Sequence, residues 1–462
     1  MSRVLFYPAL WAGKFFLWWY RRRGRNRNDK PGMASMRLCS RFLEYVAKPP
    51  LTICVSGTNG KTTVTSLIAS VLKREGKSVA YNDWGANHHA GQARCLLDAV
   101  TIFNRPTKDV AVIEMDELVS PLNVPRIAPQ YFVINNLGRD SMMRNANPEF
   151  IRSRVAAAAD ATPKATVIVN ADDPLCCFLG EKNRRLYFGA DDLKLAPRQN
   201  LVSEFTACPR CGALPVYDYR QYRQIGRFHC PNCGLKTPEH DFFAKDVNFE
   251  TMELPLREPD GVHTYPIVSD SVFNIYNELA AIAVLRDLGI PAERLAEHLR
   301  NVQVPASRQT DEVVEGVLLR TQMAKGQNPA AASTVFESVG RDMHTKELVV
   351  LLDEVFDDPR KSETIAWIFD TDYEFLNSDR VRRIIVGGER YLDHRVRFLM
   401  AGVPEEKLVC VRDPFAVPQF VDTKNVEEIC ILHDVVFVSG AHRIRDAIAE
   451  RIRAERTGEG EK

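Results

Sequence analysis

A nine-residue run, VSGTNGKTT at residues 55–63, has the composition of a phosphate-binding loop. It follows an apolar stretch predicted as a strand and opens a predicted helix, where backbone N–H groups can bind phosphate oxygens. Lys61 would neutralise the β- and γ-phosphates of a nucleotide, and the Thr62 hydroxyl would bind Mg²⁺. The common pattern has a glycine where this chain has Val55, so the run predicts the nucleotide site of a different kind of ATP enzyme. The residues predicted to bind ATP here are Gly57, Thr58, Asn59, Gly60, Lys61, Thr62 and Thr63.

An acidic cluster ends a second apolar run, at IEMDE, residues 113–117. Mg²⁺ needs further oxygen ligands, which carboxylates at the end of a neighbouring strand commonly supply. Strand alternation places Glu114 and Asp116 on one side of the chain and Glu117 on the other. We therefore predict that Glu114 binds Mg²⁺ and that Glu117 is a solvated residue of an acidic turn.

The sequence has two Cys-Pro-x-Cys-Gly motifs, and 18 residues separate the second cysteine of the first from the first cysteine of the second. This spacing is typical of a zinc ribbon, in which four thiolates bind the metal tetrahedrally. Four protein ligands leave no open position, so the predicted zinc is structural. A nucleic-acid-binding ribbon is the alternative, because arginines lie nearby, but 61 Lys and Arg against 60 Asp and Glu give the chain no basic excess for such a partner. The predicted zinc ligands are Cys208, Cys211, Cys230 and Cys233.

The other seven of the 11 cysteines stand singly or, at residues 176 and 177, side by side. Such a distribution is typical of a reducing compartment and one metal site, not of a disulfide framework. We therefore predict a cytoplasmic protein with no nucleic-acid partner.

The N-terminal segment, residues 1–35, is first apolar and then basic. Residues 4–20, VLFYPALWAGKFFLWWY, are apolar apart from Lys14, and a cluster of arginines follows from residue 21. Signal peptides have the opposite order of charge, and the run is short for a membrane-spanning helix. Its aromatic residues and trailing arginines are typical of a helix in the membrane interface. A helix packed on the protein's own core is the alternative interpretation.

Apolar runs rich in β-branched residues alternate with helical patterns in the first half of the chain and again towards its end. The alternation predicts two α/β domains whose ligands bind at the carboxyl ends of mostly parallel strands. Residues 36–304 are predicted as the ATP-binding domain, with the ribbon inserted at 204–236, and residues 331–455 as a smaller domain. Residues 305–330, rich in Pro, Ala, Gly and Gln, are predicted as a linker, and 456–462 as a disordered tail.

These motifs resemble those of the Mur ligase superfamily, whose phosphate loop reads GTNGKTT as residues 57–63 do here. Within it they resemble the MurT family, the ligase subunits of lipid II isoglutaminyl synthase, because of the cysteine insert and the short final domain. The resemblance runs from residue 36 to the end of the second α/β domain. Further matching segments are N-x-x-G-A-N at 82–87, E-x-D-E at 114–117, NADDP at 170–174 and FNxYNxLAA at 273–281.

The resemblance implies both a fold and an activity. The fold is a Mur-ligase-type central parallel-sheet ATPase domain with an inserted zinc ribbon, plus a smaller C-terminal α/β domain. The activity is ATP-dependent amidation of the D-glutamate α-carboxylate of the lipid II stem peptide to D-isoglutamine, through an acyl phosphate, in peptidoglycan synthesis. The implied cofactors are ATP, Mg²⁺ and Zn²⁺. The implied partner is a GatD-like class I glutamine amidotransferase that releases ammonia from glutamine, at the inner face of the cell membrane.

Residue by residue, the resemblance assigns Lys61 and Glu114 to catalysis and Thr62 and Glu114 to Mg²⁺. It also assigns Asn274 and Asn277 to ATP binding, through contacts with the adenine. Helix capping or interhelical hydrogen bonds are the alternative roles for these two asparagines.

In the family, an aspartate near the start of the final domain completes the glutaminase triad of the partner. The corresponding segment here is DEVFDDPRKSETIAWIFD, residues 353–370, where Asp353 and Asp357 are both candidates. The segment has extra residues and lacks the family's D-G-x-D. The chain is therefore a divergent member, and the choice between the two aspartates stays open.

The sequence contains no cysteine placed as the activated nucleophile of a glutaminase, so amidation would need ammonia from another chain. Two other functions remain open. A Mur-type ligase that adds an amino acid to another acceptor would share the phosphate loop but lack the cysteine insert and the short final domain. A non-catalytic nucleotide-binding scaffold is suggested by the altered motifs, whereas the retained Lys61, Thr62 and Glu114 argue for an enzyme.

Overall fold

The computed structural model describes residues 3–24, 28–82, 86–139, 147–194, 203–269, 271–302, 309–352 and 365–457. These residues fall into two units. The first contains residues up to 138 together with 147–194 and 203–302, and the second contains Arg139 and residues 309–457. Each unit has its own sheet and its own apolar core.

The first unit is built on a large, mostly parallel sheet, as predicted. Its strands are β1 (Leu51–Ser56), β2 (Val79–Tyr81), β3 (Val110–Glu114), β4 (Tyr131–Ile134), β5 (Thr166–Asn170), β6 (Arg185–Ala190), β9 (Phe242–Ala244), β10 (Glu253–Glu258) and β11 (Gly261–Pro266). The order is β11-β10-β9-β6-β5-β4-β1-β3-β2. Neighbours from β9 to β2 are parallel, and the β10–β11 hairpin adds two antiparallel strands at one edge. Strands β7 (Val216–Tyr222) and β8 (Ile225–His229) form a separate antiparallel hairpin.

Helices cover both faces of this sheet. They are α1 (Phe6–Arg22), α2 (Lys30–Leu38), α3 (Phe42–Tyr45), α4 (Lys61–Arg74), α5 (His89–Asp98), α6 (Ser120–Ile127), α7 (Pro148–Asp160), α8 (Val272–Asp287) and α9 (Ala292–Arg300). Side chains of α4, α8 and α9 share one core with Ile53 and Val55, whereas α1, α3, α5, α6 and α7 share the other with Cys54. Since side chains alternate along a strand, β1 supplies both cores, which explains its continuous apolar run.

Local sequence signals set where two of these helices begin. The Asn147 side chain accepts hydrogen bonds from the N–H groups of Glu149 and Phe150, and Pro148 occupies the first helical position of α7. Ser271 caps α8 by accepting from the N–H of Asn274. Helix α8 is buried on all sides from Ile275 to Leu285, as expected for a helix with no polar face.

The second unit is a smaller α/β domain. Its strands are β12 (Gln309–Val314), β13 (Val317–Met323), β14 (Lys346–Leu351), β15 (Val381–Gly387), β16 (Leu408–Val411) and β17 (Glu428–His433), and they form one sheet in the order β12-β13-β17-β14-β15-β16. Only β12 and β13 pair antiparallel. The helices are α10 (Pro329–Arg341), α11 (Ala366–Asp370), α12 (Tyr391–Met400) and α13 (Val438–Thr457), with 3₁₀ helices at Tyr373–Leu376, Glu405–Lys407 and Pro414–Phe420.

The structure differs from the predicted linker at residues 305–330. Strands β12 and β13 lie within this range, and β13 also pairs with β17, so that Val317 and Leu319 are buried in the second core. Their spacing of two residues is a strand signal that the Pro, Ala, Gly and Gln content of the range concealed. Helix α13 extends to Thr457, two residues into the predicted tail, and residues 458–462 lie outside the described residues.

Candidate nucleotide and metal site

The predicted phosphate loop connects the end of β1 to the start of α4. Gly57 and Gly60 both have positive φ angles, 142° and 83°, in a region that side chains with a Cβ rarely adopt. A Cβ on Gly60 would lie 1.9 Å from Oδ1 of Asn277, and one on Gly57 would lie 3.0 Å from the carbonyl oxygen of Asn136. Both positions therefore require glycine for two reasons: the positive φ angle of the backbone and the close approach of neighbouring residues.

Residues that follow β4 hold the loop in place. The N–H of Thr58 donates to the Asn136 carbonyl (2.8 Å), and the N–H of Asn59 donates to Oδ1 of the same asparagine (2.9 Å). The N–H of Gly138 donates to the Thr58 hydroxyl at 3.0 Å. Asn135 donates from Nδ2 to the Asn59 carbonyl at 3.1 Å. Sequence reasoning missed Asn135 and Asn136, although a polar pair directly after a buried strand was a signal for them.

The structure brings together the two residues predicted to bind Mg²⁺. The Thr62 hydroxyl, in the first turn of α4, donates to Oε2 of Glu114 at 2.8 Å. Glu114 ends β3, is 2% exposed, and its N–H donates to Oδ1 of Asn82 at 2.8 Å. A hydroxyl and a buried carboxylate at adjoining strand ends are the oxygen donors that Mg²⁺ prefers, so these residues fit the metal.

Lys61 makes an ion pair that the sequence did not predict. Its Nζ lies 3.0 Å from Oε1 of Glu117, which is 1% exposed, and 2.5 Å from the carbonyl oxygen of Gly57. The prediction that Glu117 is solvated is therefore wrong. β3 ends at Glu114, so strand alternation does not apply to the following residues, and the chain turns Glu117 inward. Burial of a lysine at a phosphate site needs such a counter-charge.

The two asparagines predicted to bind ATP lie in the first turns of α8. Asn277 accepts at Oδ1 from Nδ2 of Asn135 (2.6 Å) and donates from its own Nδ2 to Oδ1 of Asn274 (3.0 Å). Asn274 donates to the Ser269 hydroxyl at 2.8 Å. These contacts join the two asparagines to each other, to Asn135 and to Ser269, and none of them joins two helices. They place Asn277 against Gly60 of the phosphate loop, so ATP binding through these residues stays a prediction.

Two consecutive aspartates after β5 form a buried polar network beside the loop. Asp172 accepts from the Tyr276 hydroxyl (2.7 Å) and from the N–H of Ala190 (2.8 Å), and His240 Nε2 lies 2.8 Å from its Oδ1. Asp173 accepts from the N–H of Leu137 at 2.7 Å. Burial raises the pKa of Asp173 to about 6. The network joins β5, β6 and α8 to the segment that supports the phosphate loop.

The four cysteines of the two motifs converge. Their sulfur atoms all lie within 4.8 Å of one another, with Cys208 Sγ 3.5 Å from Cys233 Sγ and Cys211 Sγ 3.5 Å from Cys230 Sγ. Gly212 and Gly234, the last residues of the two motifs, have φ angles of 75° and 71° and allow the tight turns. The cysteine sites flank the β7–β8 hairpin. Four thiols so arranged fit a tetrahedral zinc ion.

The tip of the β7–β8 hairpin contacts the nucleotide site, which the sequence did not predict. Nε2 of the buried Gln224 donates to the Leu137 carbonyl at 2.8 Å, one residue before the Gly138 that bonds Thr58. The ring of Tyr222 lies 4.1 Å from that of Phe273, centroid to centroid. The cysteine insert is therefore joined to the phosphate loop through a short chain of hydrogen bonds.

Strand β14 of the second unit ends at Leu351, just before the two aspartates predicted for the partner's triad. Asp353 and Asp357 lie outside the described residues, so their role stays a prediction. Among the described residues of this unit, Asp434 accepts at Oδ2 from the N–H of Gly326 at 3.0 Å, and burial raises the pKa of its carboxyl.

Comparison with known proteins matches both units. Residues 55–204 match the Mur ligase middle domain, and residues 326–434 match the MurT ligase C-terminal domain. The chain is 29% identical over 392 residues to the lipid II isoglutaminyl synthase (glutamine-hydrolyzing) subunit MurT of Staphylococcus aureus strain COL, covering 84% of this chain and 86% of that protein. It is also 29% identical over 406 residues to the Streptococcus pneumoniae R6 subunit of the same name, covering 86% and 85%.

A solved structure supports the fold. The pseudomurein peptide ligase type C from Methanothermus fervidus superposes with a TM-score of 0.65 at 19% identity, covering 88% of this chain and 80% of that one. The matched domains and the geometry of the phosphate loop confirm the resemblance seen in the sequence. The chain belongs to the Mur ligase superfamily of ATP-dependent ligases, with a C-terminal domain of the MurT type.

Proposed function

We propose that this chain is the ligase subunit of a lipid II isoglutaminyl synthase. It would amidate the α-carboxylate of D-glutamate in the lipid II stem peptide, giving D-isoglutamine. The observation that carries the proposal is the presence in one chain of the Thr62–Glu114 pair at a phosphate loop and a C-terminal domain of the MurT type. Similarity to MurT subunits over most of the chain supports the same substrate.

The proposed reaction has two steps. The substrate carboxylate attacks the γ-phosphorus of ATP, the bond to the β-phosphate oxygen breaks, and an acyl phosphate and ADP result. Ammonia then attacks the acyl carbon, loses a proton and expels phosphate, which leaves the amide. Lys61 and the N–H groups of the loop bind the phosphates and offset the charge that develops on them. Mg²⁺, held by Thr62 and Glu114, would supply further positive charge at the same place.

The nitrogen source is proposed to be a partner, a GatD-like class I glutamine amidotransferase. A glutaminase needs a thiolate nucleophile. The seven cysteines outside the two motifs are buried, apart from the half-buried Cys410. Burial raises the pKa of the Cys410 thiol and the pKa of Cys54, which is the opposite of what a thiolate needs. One of Asp353 and Asp357 remains the residue proposed to complete the partner's triad.

Zinc is proposed as a structural ion bound by Cys208, Cys211, Cys230 and Cys233. The two-turn arrangement around the β7–β8 hairpin supports a ribbon that the metal holds together. We also propose that the enzyme works in the cytoplasm at the inner face of the cell membrane, since a lipid-linked acceptor is confined there.

The test is to purify the chain with and without a co-expressed class I glutamine amidotransferase from the same genome. Amidation of lipid II is then measured by mass spectrometry with ATP and either glutamine or ammonium chloride. We expect glutamine to support amidation only with both chains, and ammonium to support it with this chain alone. Amino-acid-dependent ATP hydrolysis without amidation would favour an amino-acid-adding ligase instead. A stable complex with neither activity would favour a scaffold.

A matched pair of variants on α4 sharpens this test. Lys61→Ala removes the phosphate-binding cation and should lower amidation by roughly a hundredfold or more. Lys73→Ala changes an exposed lysine in the last turn of the same helix and should leave the rate unchanged. Equal rates for the two variants would show that the phosphate loop is not where ATP reacts.

A further inference from the structure

Helix α1 has one face fixed to the first unit. Phe6, Leu10 and Leu17 are buried, and Ala9 accepts a hydrogen bond at its carbonyl oxygen from the Ser35 hydroxyl of α2 at 2.9 Å. Gly13 lies so close to Ser35 that a Cβ there would be 2.1 Å from Oγ. The contacts of this face explain the spacing of its apolar residues. One face of α1 is therefore packed on the protein's own core, as the alternative interpretation of this segment predicted.

The opposite face of α1 is aromatic and exposed. We call it the aromatic face; its residues are Tyr7, Trp11, Phe15, Phe16, Trp18 and Trp19, each between 38% and 53% exposed. At 3.6 residues per turn, most of these positions lie on the side of the helix away from the buried residues. Next to them are Ile102 and Phe103, 51% and 68% exposed, and Nε1 of Trp11 donates to the Ile102 carbonyl at 3.0 Å. A patch of this kind marks an interaction surface.

Positive charge is concentrated at the same place. Residues 1–28 contain seven Lys and Arg and no Asp or Glu, whereas the other 434 residues contain 54 basic and 60 acidic side chains. At the C-terminal end of α1, the exposed Arg22 and Arg23 lie over the rings of Trp18 and Trp19, 4.8 and 4.0 Å from the ring centroids. The aromatic face thus ends in cations that are held beside its tryptophans.

We propose that the aromatic face of α1 binds the surface of an anionic lipid bilayer, with the helix lying in the plane of the headgroups. Tryptophan and tyrosine rings prefer the boundary between headgroups and acyl chains, because one edge is polar and the rest is apolar. Arg22 and Arg23 match the charge of anionic lipids, and no acidic residue in α1 opposes them.

No described helix is both long and apolar enough to cross a bilayer. The buried face of α1 is occupied by α2 and α5, so the aromatic face is the part of the helix left for lipid. The inference does not depend on the acceptor of the ligase, since it needs only an anionic surface.

The test uses the full-length protein and vesicles that contain no lipid II. Binding is measured by co-sedimentation and by the blue shift of tryptophan fluorescence, with phosphatidylcholine vesicles and with phosphatidylcholine–phosphatidylglycerol vesicles. We expect binding to the anionic vesicles, weakened by salt and nearly absent with phosphatidylcholine alone. Arg22→Gln with Arg23→Gln should lower the partition coefficient roughly 30-fold. Trp11→Ser with Trp18→Ser should abolish binding.

Leu214→Ser is the matched control, because Leu214 is 76% exposed but lies in the cysteine insert, away from α1 in the sequence. It should bind vesicles as the unchanged protein does. Nucleotide binding and circular dichroism establish that each variant is folded. Equal vesicle binding by the Trp11/Trp18 variant and the unchanged protein would overturn the proposal. The proposal would also be overturned if the unchanged protein does not bind anionic vesicles but forms dimers in sedimentation, and the Trp11/Trp18 variant does not form them.

Discussion

Gln224 offers a test of whether the cysteine insert supports ATP binding. Its Nε2 donates to the Leu137 carbonyl at 2.8 Å, and the next residue, Gly138, donates to the Thr58 hydroxyl of the phosphate loop at 3.0 Å. Gln224→Ala removes the donor and leaves a buried carbonyl without it. We expect the segment that supports the loop to loosen and ATP to bind more weakly.

The size of the effect follows from the burial of the contact. Losing one partner of a buried neutral hydrogen bond costs about 1–3 kcal/mol. Leu137 is also held at its N–H by Asp173, so the segment keeps part of its restraint. If ATP binding loses about half of this free energy, the Kd for ATP rises roughly 2- to 12-fold, since 1.4 kcal/mol is a factor of ten. Isothermal titration calorimetry measures this directly.

Gln221→Ala is the matched control. Gln221 lies on the same hairpin and donates from Nε2 to a backbone carbonyl at a similar distance, 2.7 Å, but its partner is Asp191 at the end of β6. This variant should leave the Kd for ATP unchanged. Equal Kd values for the Gln224 and Gln221 variants would refute the coupling. Removal of the proposed zinc ion, with Mg²⁺ kept in excess, should weaken ATP binding in the unchanged protein and have little further effect in Gln224→Ala, because both perturbations act through one contact.

Three further outcomes are expected. Glu114→Gln should lower Mg²⁺-dependent ATP turnover roughly a hundredfold or more while thermal unfolding changes little, and an unchanged rate would exclude Glu114 as a metal ligand. Gly60→Ala should abolish ATP binding because its Cβ would meet Asn277, whereas Gly76→Ala, with a similar φ angle of 76° and open space around it, should only lower the melting temperature slightly. Burial raises the pKa of Glu278 to about 8, so the stability that its protonated form provides is complete below the unfolded pKa of 4.5 and is lost progressively up to about pH 8. Glu278→Gln should remove this loss and gain roughly 2–4 kcal/mol over the unchanged protein between pH 5 and pH 8 in chemical denaturation, and parallel pH profiles would contradict the assignment.

The parts of the site that the sequence predicted each have a local sequence signal. Gly57, Gly60 and Lys61 form a local motif between a strand and a helix, and Glu114 ends an apolar run, so their types and order were enough to place them. Asn135 was missed because its position beside the loop depends on β4 being the neighbour of β1, and local sequence does not predict the order of strands in a sheet. Glu117 was misjudged for a similar reason, since strand alternation ends with the strand.

The same distinction applies to the fold. The alternation of strands and helices predicted the parallel sheet of the first unit, because each β-branched run is short and separately recognisable. Strands β12 and β13 were hidden in a range whose overall composition resembles a linker. The burial of β13 comes from its pairing with β17, more than a hundred residues away, and β12 pairs only with β13. The contact of Gln224 with Leu137 is also a product of tertiary structure, since nothing in the sequence relates the two segments.

The cysteine insert occupies an unusual place in the topology of the sheet. Strands β6 and β9 are parallel neighbours, and such a pair needs a crossover connection, which in most α/β folds is a helix. Here residues 191–241 make that crossover, and the cysteine cluster brings the two ends of segment 208–233 together. A bound metal would thus shorten the free length of the crossover to roughly half, which lowers the entropic cost of closing it by only about 0.6 kcal/mol. Removal of the metal should therefore leave β9, β10 and β11 attached to the sheet.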